Sequence, residues 1–338
     1  MEAVAVDACD SALFLHFASQ SNVDDLVLEQ LDADIGRLAK SLVSQPVTTV
    51  FSEITTLRRL VFTLLQGRQH PRQTSHLYLT AGRLCGLATH VALDLGQFTA
   101  AATHARTAWL CAESADHNGL RAWVRSVQSL IAYWQQNYSQ AVELAQSGLR
   151  HADAGTIRAR LLSLSARAHA ACGSGSAAVR AVEAARDARH GSAGPAELPG
   201  VFTFPEAKQH AYAGTALLAI DGKGHVRQAV EASSQAIALY RCSPEEDQSS
   251  GDLLAAHLDL ATAHLAAGDI DGAAEKLSVV LTAPPERRTA SISHRLQTVG
   301  LRLGEPVYAG SAVARGLRES VREACHRPAP AKPPEPDQ

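Results

Sequence analysis

The stretch 254–285 reads as two short helices folded back on one another, and imperfect copies of it recur along the chain. At helical spacing Leu254, Leu258, Ala261 and Leu265 form one apolar stripe. Gly268 and Asp269 interrupt it, and Ala273, Leu277, Val280 and Leu281 form a second stripe that ends at Pro284 and Pro285. Gly268 supplies a left-handed residue on which the first helix can stop, and Pro285 cannot extend the second. Ala261 and Ala273 are expected where the paired helices approach most closely. A larger side chain there would cost about 1–3 kcal/mol by overpacking.

The same order of small residues, turn and small residues returns at 88–101 (ATHVALDLGQFTAA), 131–141 (IAYWQQNYSQA), 166–178 (ARAHAACGSGSAA) and 217–229 (LLAIDGKGHVRQA). Turn positions at 96, 136, 173, 224 and 268 are spaced by roughly 40, 37, 51 and 44 residues, longer and less regular than the ~34 of an ideal repeat of this kind. The pattern resembles the tetratricopeptide repeat. A single hairpin cannot bury its own apolar face, so the copies are expected to stack. The fold class implied is all-α, a right-handed superhelical solenoid of stacked helix-turn-helix hairpins with a long groove along its inner surface.

Taken in order, 1–70 is expected to be an N-terminal helical cap. It holds one short apolar stretch at 12–17, then a helix from Ser21 or Asn22 through Leu42 with Leu26, Leu31, Ile35, Leu38 and Leu42 inward and Asp24, Asp25, Asp32 and Asp34 towards water. Pro46 ends that helix, and a second spans 47–66 with Phe51, Ile54, Leu57, Val61 and Leu65 inward. Residues 71–303 carry the repeat solenoid, 304–326 a capping helix, and 327–338 (RPAPAKPPEPDQ) too little apolar surface to fold. Within the solenoid, 190–206 has the Gly and Pro of a loop but keeps Val201, Phe202 and Phe204, which should pin it to the helices.

Of the 338 residues 46% are hydrophobic and 19% charged, ordinary for a folded chain, and the net charge of −3 gives no general attraction to nucleic acid or anionic membrane. The first residues lack the basic and apolar regions of an export signal, and no run reaches the ~18 apolar residues of a spanning helix, so a cytoplasmic location is expected. Cys9, Cys85, Cys111, Cys172, Cys242 and Cys325 are scattered without a CxxC pair, and most are read as small buried apolar residues.

Further segments carry a closer resemblance: 78–87 (YLTAGRLCGL), 104–112 (HARTAWLCA), 120–134 (LRAWVRSVQSLIAYW), 199–207 (PGVFTFPEA), 258–261 (LDLA) and 284–290 (PPERRTA). Together they resemble the C-terminal repeat region of actinobacterial helix-turn-helix transcriptional regulators, over about 11–325. Those regulators carry a DNA-binding domain ahead of the repeats. The first seventy residues here offer no basic recognition helix, and 26–42 is acidic on its polar face. Direct DNA binding is therefore not carried over, and the chain is expected to correspond to the sensory or partner-binding half alone.

No residues are singled out for catalysis, for a metal or for a cofactor. His257 and His264 lie two turns apart on a helix, about 10 Å by rise, too far to share an ion. His70 and His76 fit no metal spacing, and there is neither HExxH nor GxSxG. The glycines at 173–176 and 221–224 follow helices rather than strands. The groove is the expected site. If the first helix of each pair lines it, Arg83, His90, Trp123, Ser126, Tyr133, Arg160 and Arg167 include its binding residues, arginines and aromatics being suited to carbonyls, carboxylates and broad rigid contact. The partner expected is a peptide, a small ligand or another protein, with no direct binding of nucleic acid or membrane, and self-association into a homodimer is allowed.

Overall fold

In the computed structural model, which describes residues 2–152, 156–190 and 198–326, every regular element of those residues is helical. The α-helices are α1 (Glu2–Ala18), α2 (Asp25–Ser44), α3 (Val47–Leu65), α4 (Pro71–Asp94), α5 (Phe98–Ser114), α6 (Asn118–Trp134), α7 (Tyr138–Leu149), α8 (Ile157–Ala171), α9 (Gly175–His190), α10 (Glu206–Leu218), α11 (Lys223–Cys242), α12 (Ser250–Ala266), α13 (Ile270–Thr282), α14 (Ala290–Arg302) and α15 (Ala312–His326). Single 3-10 turns stand at Gly200–Phe202, Glu245–Asp247, Pro285–Arg287 and Pro306–Tyr308. Residues 327–338, expected to be a disordered tail, lie outside the described residues, as does 191–197 of the loop before α10. Among the described residues no helix is long and apolar enough to cross a membrane.

Consecutive helices pack as antiparallel pairs, α4 with α5, α6 with α7, α8 with α9, α10 with α11 and α12 with α13. The first members also touch one another in chain order, from α2 through α4, α6, α8, α10 and α12 to α14. Three contacts then bridge distant parts of the chain: α14 meets α4, and α2 meets both the 200–202 turn and the 245–247 turn.

Five of the reversals close with the same two hydrogen bonds. At Gly96, Gln97 N donates to Ala92 O and Gly96 N to Leu93 O, at 2.8 and 2.9 Å. The pattern repeats at Asp116, Gln136, Gly173 and Gly268, and all five residues have positive φ, from 48 to 77°. The two bonds satisfy carbonyls that the helix end would leave orphaned. Glycine adopts this conformation freely, whereas Asp116 and Gln136 hold it against a steric cost of about 1–2 kcal/mol. Between α10 and α11 the positive-φ residue is Gly222, at 119°, and Gly224 already lies inside α11, so the turn expected at 224 sits two residues earlier.

Small residues let the paired helices close. Ala101, Ala108, Ala141, Ala145, Ala261 and Ala273 are all fully buried. On α4, a Cβ at Gly86 would stand 2.5 Å from the Trp123 ring, so the absent side chain is the space that α6 fills with its indole.

In α2 the buried stripe is Leu28, Leu31, Ile35, Leu38 and Leu42, and Leu26 is 73% exposed rather than inward. Two residues before Leu28 is about 200° round the helix, which turns Leu26 away. Asp32 also departs from expectation. Instead of facing water it accepts from Arg83 at 2.9 Å and meets His76 at 2.8 Å, tying α2 to α4. The capping helix expected over 304–326 begins only at Ala312, because Pro306 opens a 3-10 turn first.

The cysteines are all unpaired, but only Cys85 and Cys111 are buried, their thiols pushed up to about 12 and about 11 chiefly by desolvation. Cys9, Cys172 and Cys242 are exposed, contrary to the expected burial of most. Cys172 and Cys242 stand at helix ends, where the chain turns out of the packed layer.

Replacing Gln136 by Gly relieves the left-handed turn and is expected to stabilise the chain by up to about 1 kcal/mol. Gly86→Leu drives a side chain into Trp123 and is expected to cost about 1–3 kcal/mol or more. Urea unfolding midpoints at unchanged slope check both.

Candidate functional site

The first helices of the pairs line a cavity of about 390 Å³, bordered also by the start of α3 and by the connectors near 200–205, 247–251 and 286–289. It draws on α4, α6, α8, α10, α12 and α14, so residues far apart in sequence converge on one space.

Arg167 of α8 lines this space, yet only 3% of the residue is exposed. Its neighbours Ala166 and Ala168 are small, which lets α10 and α6 approach and bring rings over the guanidinium. The guanidinium carbon lies 4.4 Å from the centre of Tyr133, 4.5 Å from Tyr212 and 5.6 Å from Trp134. Ring faces stabilise a desolvated cation, by about 2 kcal/mol for a good contact. They do not satisfy N–H donors, and Nε and Nη2 of Arg167 meet no acceptor among the described residues. Such orphaned donors cost about 1–3 kcal/mol each.

Other charges in the chamber have partners. Arg295 of α14 donates to Asp259 of α12 at 2.7 Å and to the Thr215 hydroxyl at 3.1 Å, and Thr215 itself donates to Asp259. Lys208 of α10 is 3.0 Å from Asp252, which also accepts from the Tyr240 hydroxyl at 3.2 Å. Burial acts to raise the Asp252 carboxyl, but Lys208 with Ser249 and Tyr240 outweighs it and holds the group below its ordinary value. Burial likewise acts to lower the Lys208 ammonium, and Asp252 and Tyr212 more than offset it. Arg288 turns away to the last turn of α15, donating to Ala324 O at 3.3 Å, where the helix end is electronegative.

Asp94, at the end of α4, is different. Desolvation pushes its carboxyl up to about 7; Lys208 opposes the shift and Asp252 adds to it. One turn earlier, His90 is driven well below its ordinary value by burial and then by the charges of Arg160 and Lys208. The neutral ring can therefore accept from Arg160 Nη2, 3.4 Å away.

Of the seven residues expected in a groove, His90 and Arg167 line the cavity, and Tyr133 packs on the Arg167 guanidinium. Trp123 and Arg160 are both buried and hold the chain's own segment 198–204. Trp123 Nε1 donates to Val201 O at 3.1 Å, Arg160 Nη1 to the same oxygen at 2.8 Å, and Phe202 packs 4.7 Å from Trp123. Gly200, with φ of 67°, lies so close to α2 that a Cβ would collide with the Ala39 carbonyl. The expected pinning of this loop by its apolar residues is what the structure has, with Phe202 and Phe204 buried. Ser126 is buried and donates to Trp123 O at 2.6 Å within α6, and Arg83 is held by Asp32.

The sequence reading did not pick out Asp94, Lys208, Tyr212, Thr215, Asp252, Asp259 or Arg295. One signal was present, since Asp259 interrupts the apolar run Leu258, Leu260 and Ala261 on a helix buried nearly all round. Among the described residues no three His, Cys, Asp or Glu side chains gather as a metal site. His257 is buried in α12, and His264 is 2.8 Å from Asp269 at the turn. Neither a scan against models of protein families nor a search of curated proteins returned a match.

Because folding holds the Asp94 proton more tightly than the unfolded chain does, stability falls as pH rises from about 4 to about 7 and levels off above. Asp94→Asn removes this dependence. The variant is expected to melt a few degrees higher than the parent at pH above about 7, the gap closing towards about pH 4, in thermal scans across that range.

Proposed function

We propose that this protein is a non-enzymatic adaptor or sensor, a tetratricopeptide-like solenoid whose inner helices receive a ligand and whose outer surface reports its presence to a partner. The observation that carries this reading is Arg167, a permanently charged side chain that lines the cavity, packs against the rings of Tyr133 and Tyr212 and has no carboxylate within salt-bridge distance among the described residues. A buried cation without a counter-charge is costly to keep, which marks this wall of the cavity as built for more than packing. The cavity volume of about 390 Å³ is in the ordinary range of a small-molecule pocket of roughly 300–1,000 Å³. Through the resemblance described above, the process so regulated is transcription or secondary metabolism, reached indirectly through a cytoplasmic partner.

The test is native mass spectrometry of the protein after incubation with an extract of its own cells. One additional mass per chain is expected, released chemically unchanged. Ser293→Trp, which puts a bulky ring into the cavity from α14, is expected to abolish the added mass. No retained species, equal retention by the variant, or release of a converted product would each overturn the reading.

A further inference from the structure

We propose that the cavity's ligand is a small neutral molecule with a flat apolar body and one O–H or N–H group that it donates to Asp94. The inference rests on the reading of the cavity as a receiving site and deepens it.

The acceptor comes first. Two partly buried carboxylates line the cavity, Asp252 and Asp94. Asp252 accepts from Lys208 and from the Tyr240 hydroxyl. Asp94 accepts from no group of the described residues, and neither of its oxygens is sealed off from the space it lines. It is also the last residue of α4, where the carbonyl end of the helix adds its own negative potential. A carboxylate left there calls for an N–H or O–H donor, and the cavity is where one can be placed.

Charge decides which kind of donor. A second carboxylate beside Asp94 is repelled, which excludes an acid. Lys208 and Arg295 are neutralised by Asp252 and Asp259, while Arg167 and Arg288 line the same wall with no carboxylate of their own among the described residues. Two uncompensated cations against one carboxylate leave no call for a third. At His90, one turn before Asp94, burial and then the charges of Arg160 and Lys208 act against a proton on the ring, and a ligand ammonium would meet the same field. A neutral donor meets neither penalty.

Shape and lining give the body. A volume of about 390 Å³ equals the liquid share of about a dozen water molecules, room for about that many non-hydrogen atoms. Phe98, just beyond Asp94 in the chain, lines the space with Leu130, Trp134 and Tyr212, flat or branched apolar groups that favour a ring.

The experiment is calorimetric titration of the full chain with four probes on one ring system: naphthylmethanol, its methyl ether, naphthoate and naphthylmethylammonium. Naphthylmethanol is expected to bind one per chain, and each of the others at least about tenfold more weakly. Asp94→Ala is expected to reduce the alcohol to the affinity of the ether while leaving the ether unchanged, a pattern that a purely structural role for Asp94 would not produce. Should Asp94→Ala fail to fold, the ranking of the four probes on the parent protein decides. An ether as tight as the alcohol overturns the donor, and an equal or tighter acid or ammonium overturns the neutral ligand. An alcohol preference that survives in a folded Asp94→Ala overturns the acceptor, and failure of all four probes overturns the inference as a whole. A charged species retained from the cell extract would sink this assignment while leaving the receiving cavity standing.

Discussion

Reversal of the chain through one left-handed residue is the constraint on which this molecule depends. Each such reversal closes two hydrogen bonds onto the preceding helix and returns the chain antiparallel, so the next pair begins on the same side as the last. Alanine and glycine at the crossings then let the pairs approach closely enough to share a core. The alternation puts each first helix in contact with the next, and side chains from these helices make up much of the cavity lining.

That arrangement concentrates the energetic tension of the fold in one place. The outer helices can present polar residues to water, but the inner ones carry Arg160, Arg167, Lys208, Asp94, Asp252, Asp259 and Arg295 into a region with little solvent. Most of these are reconciled with burial by direct partners, which is the condition under which a buried charge is tolerated. Arg167 and Asp94 are the two that are not, one a cation among rings, the other a carboxyl held towards neutrality. Apolar residues at both positions would be easier to bury, so the wall of the cavity is where this sequence departs furthest from what packing alone would favour.

The hairpins were legible because glycine at positions such as 96, 173 and 268 coincides with a change of apolar stripe, and that coincidence has one cheap structural solution. The reversal at Asp116 was not read: it joins one pair to the next rather than the two helices of a pair, and no glycine marks its left-handed position. Arg167 was placed on the inner face by its position in the first helix of a pair. Arg83 followed the same rule, but Asp32, fifty-one residues earlier, takes its guanidinium, and no local pattern announces such a partner. Trp123 and Arg160 have the chemistry of a binding surface and do bind a peptide segment, one from their own chain. The remaining wall of the cavity comes from segments far apart in sequence, whose convergence depends on how successive helix pairs pack, a property of many small packing choices rather than of any motif.

An array of hairpins touching only its neighbours can fray from either end, each unit melting nearly on its own. Here the 198–204 strap joins α2 to α6 and α8, while α14 reaches back to α4, so units far apart in sequence share surfaces. Loosening either terminus thus draws on contacts in the middle, and the chain resists unzipping in the way a clasped bracelet resists it and an open chain of links does not. Local sequence separation, usually short in repeat arrays, is lengthened by these clasps. Denaturation is correspondingly drawn towards one concerted transition instead of a progression along the row.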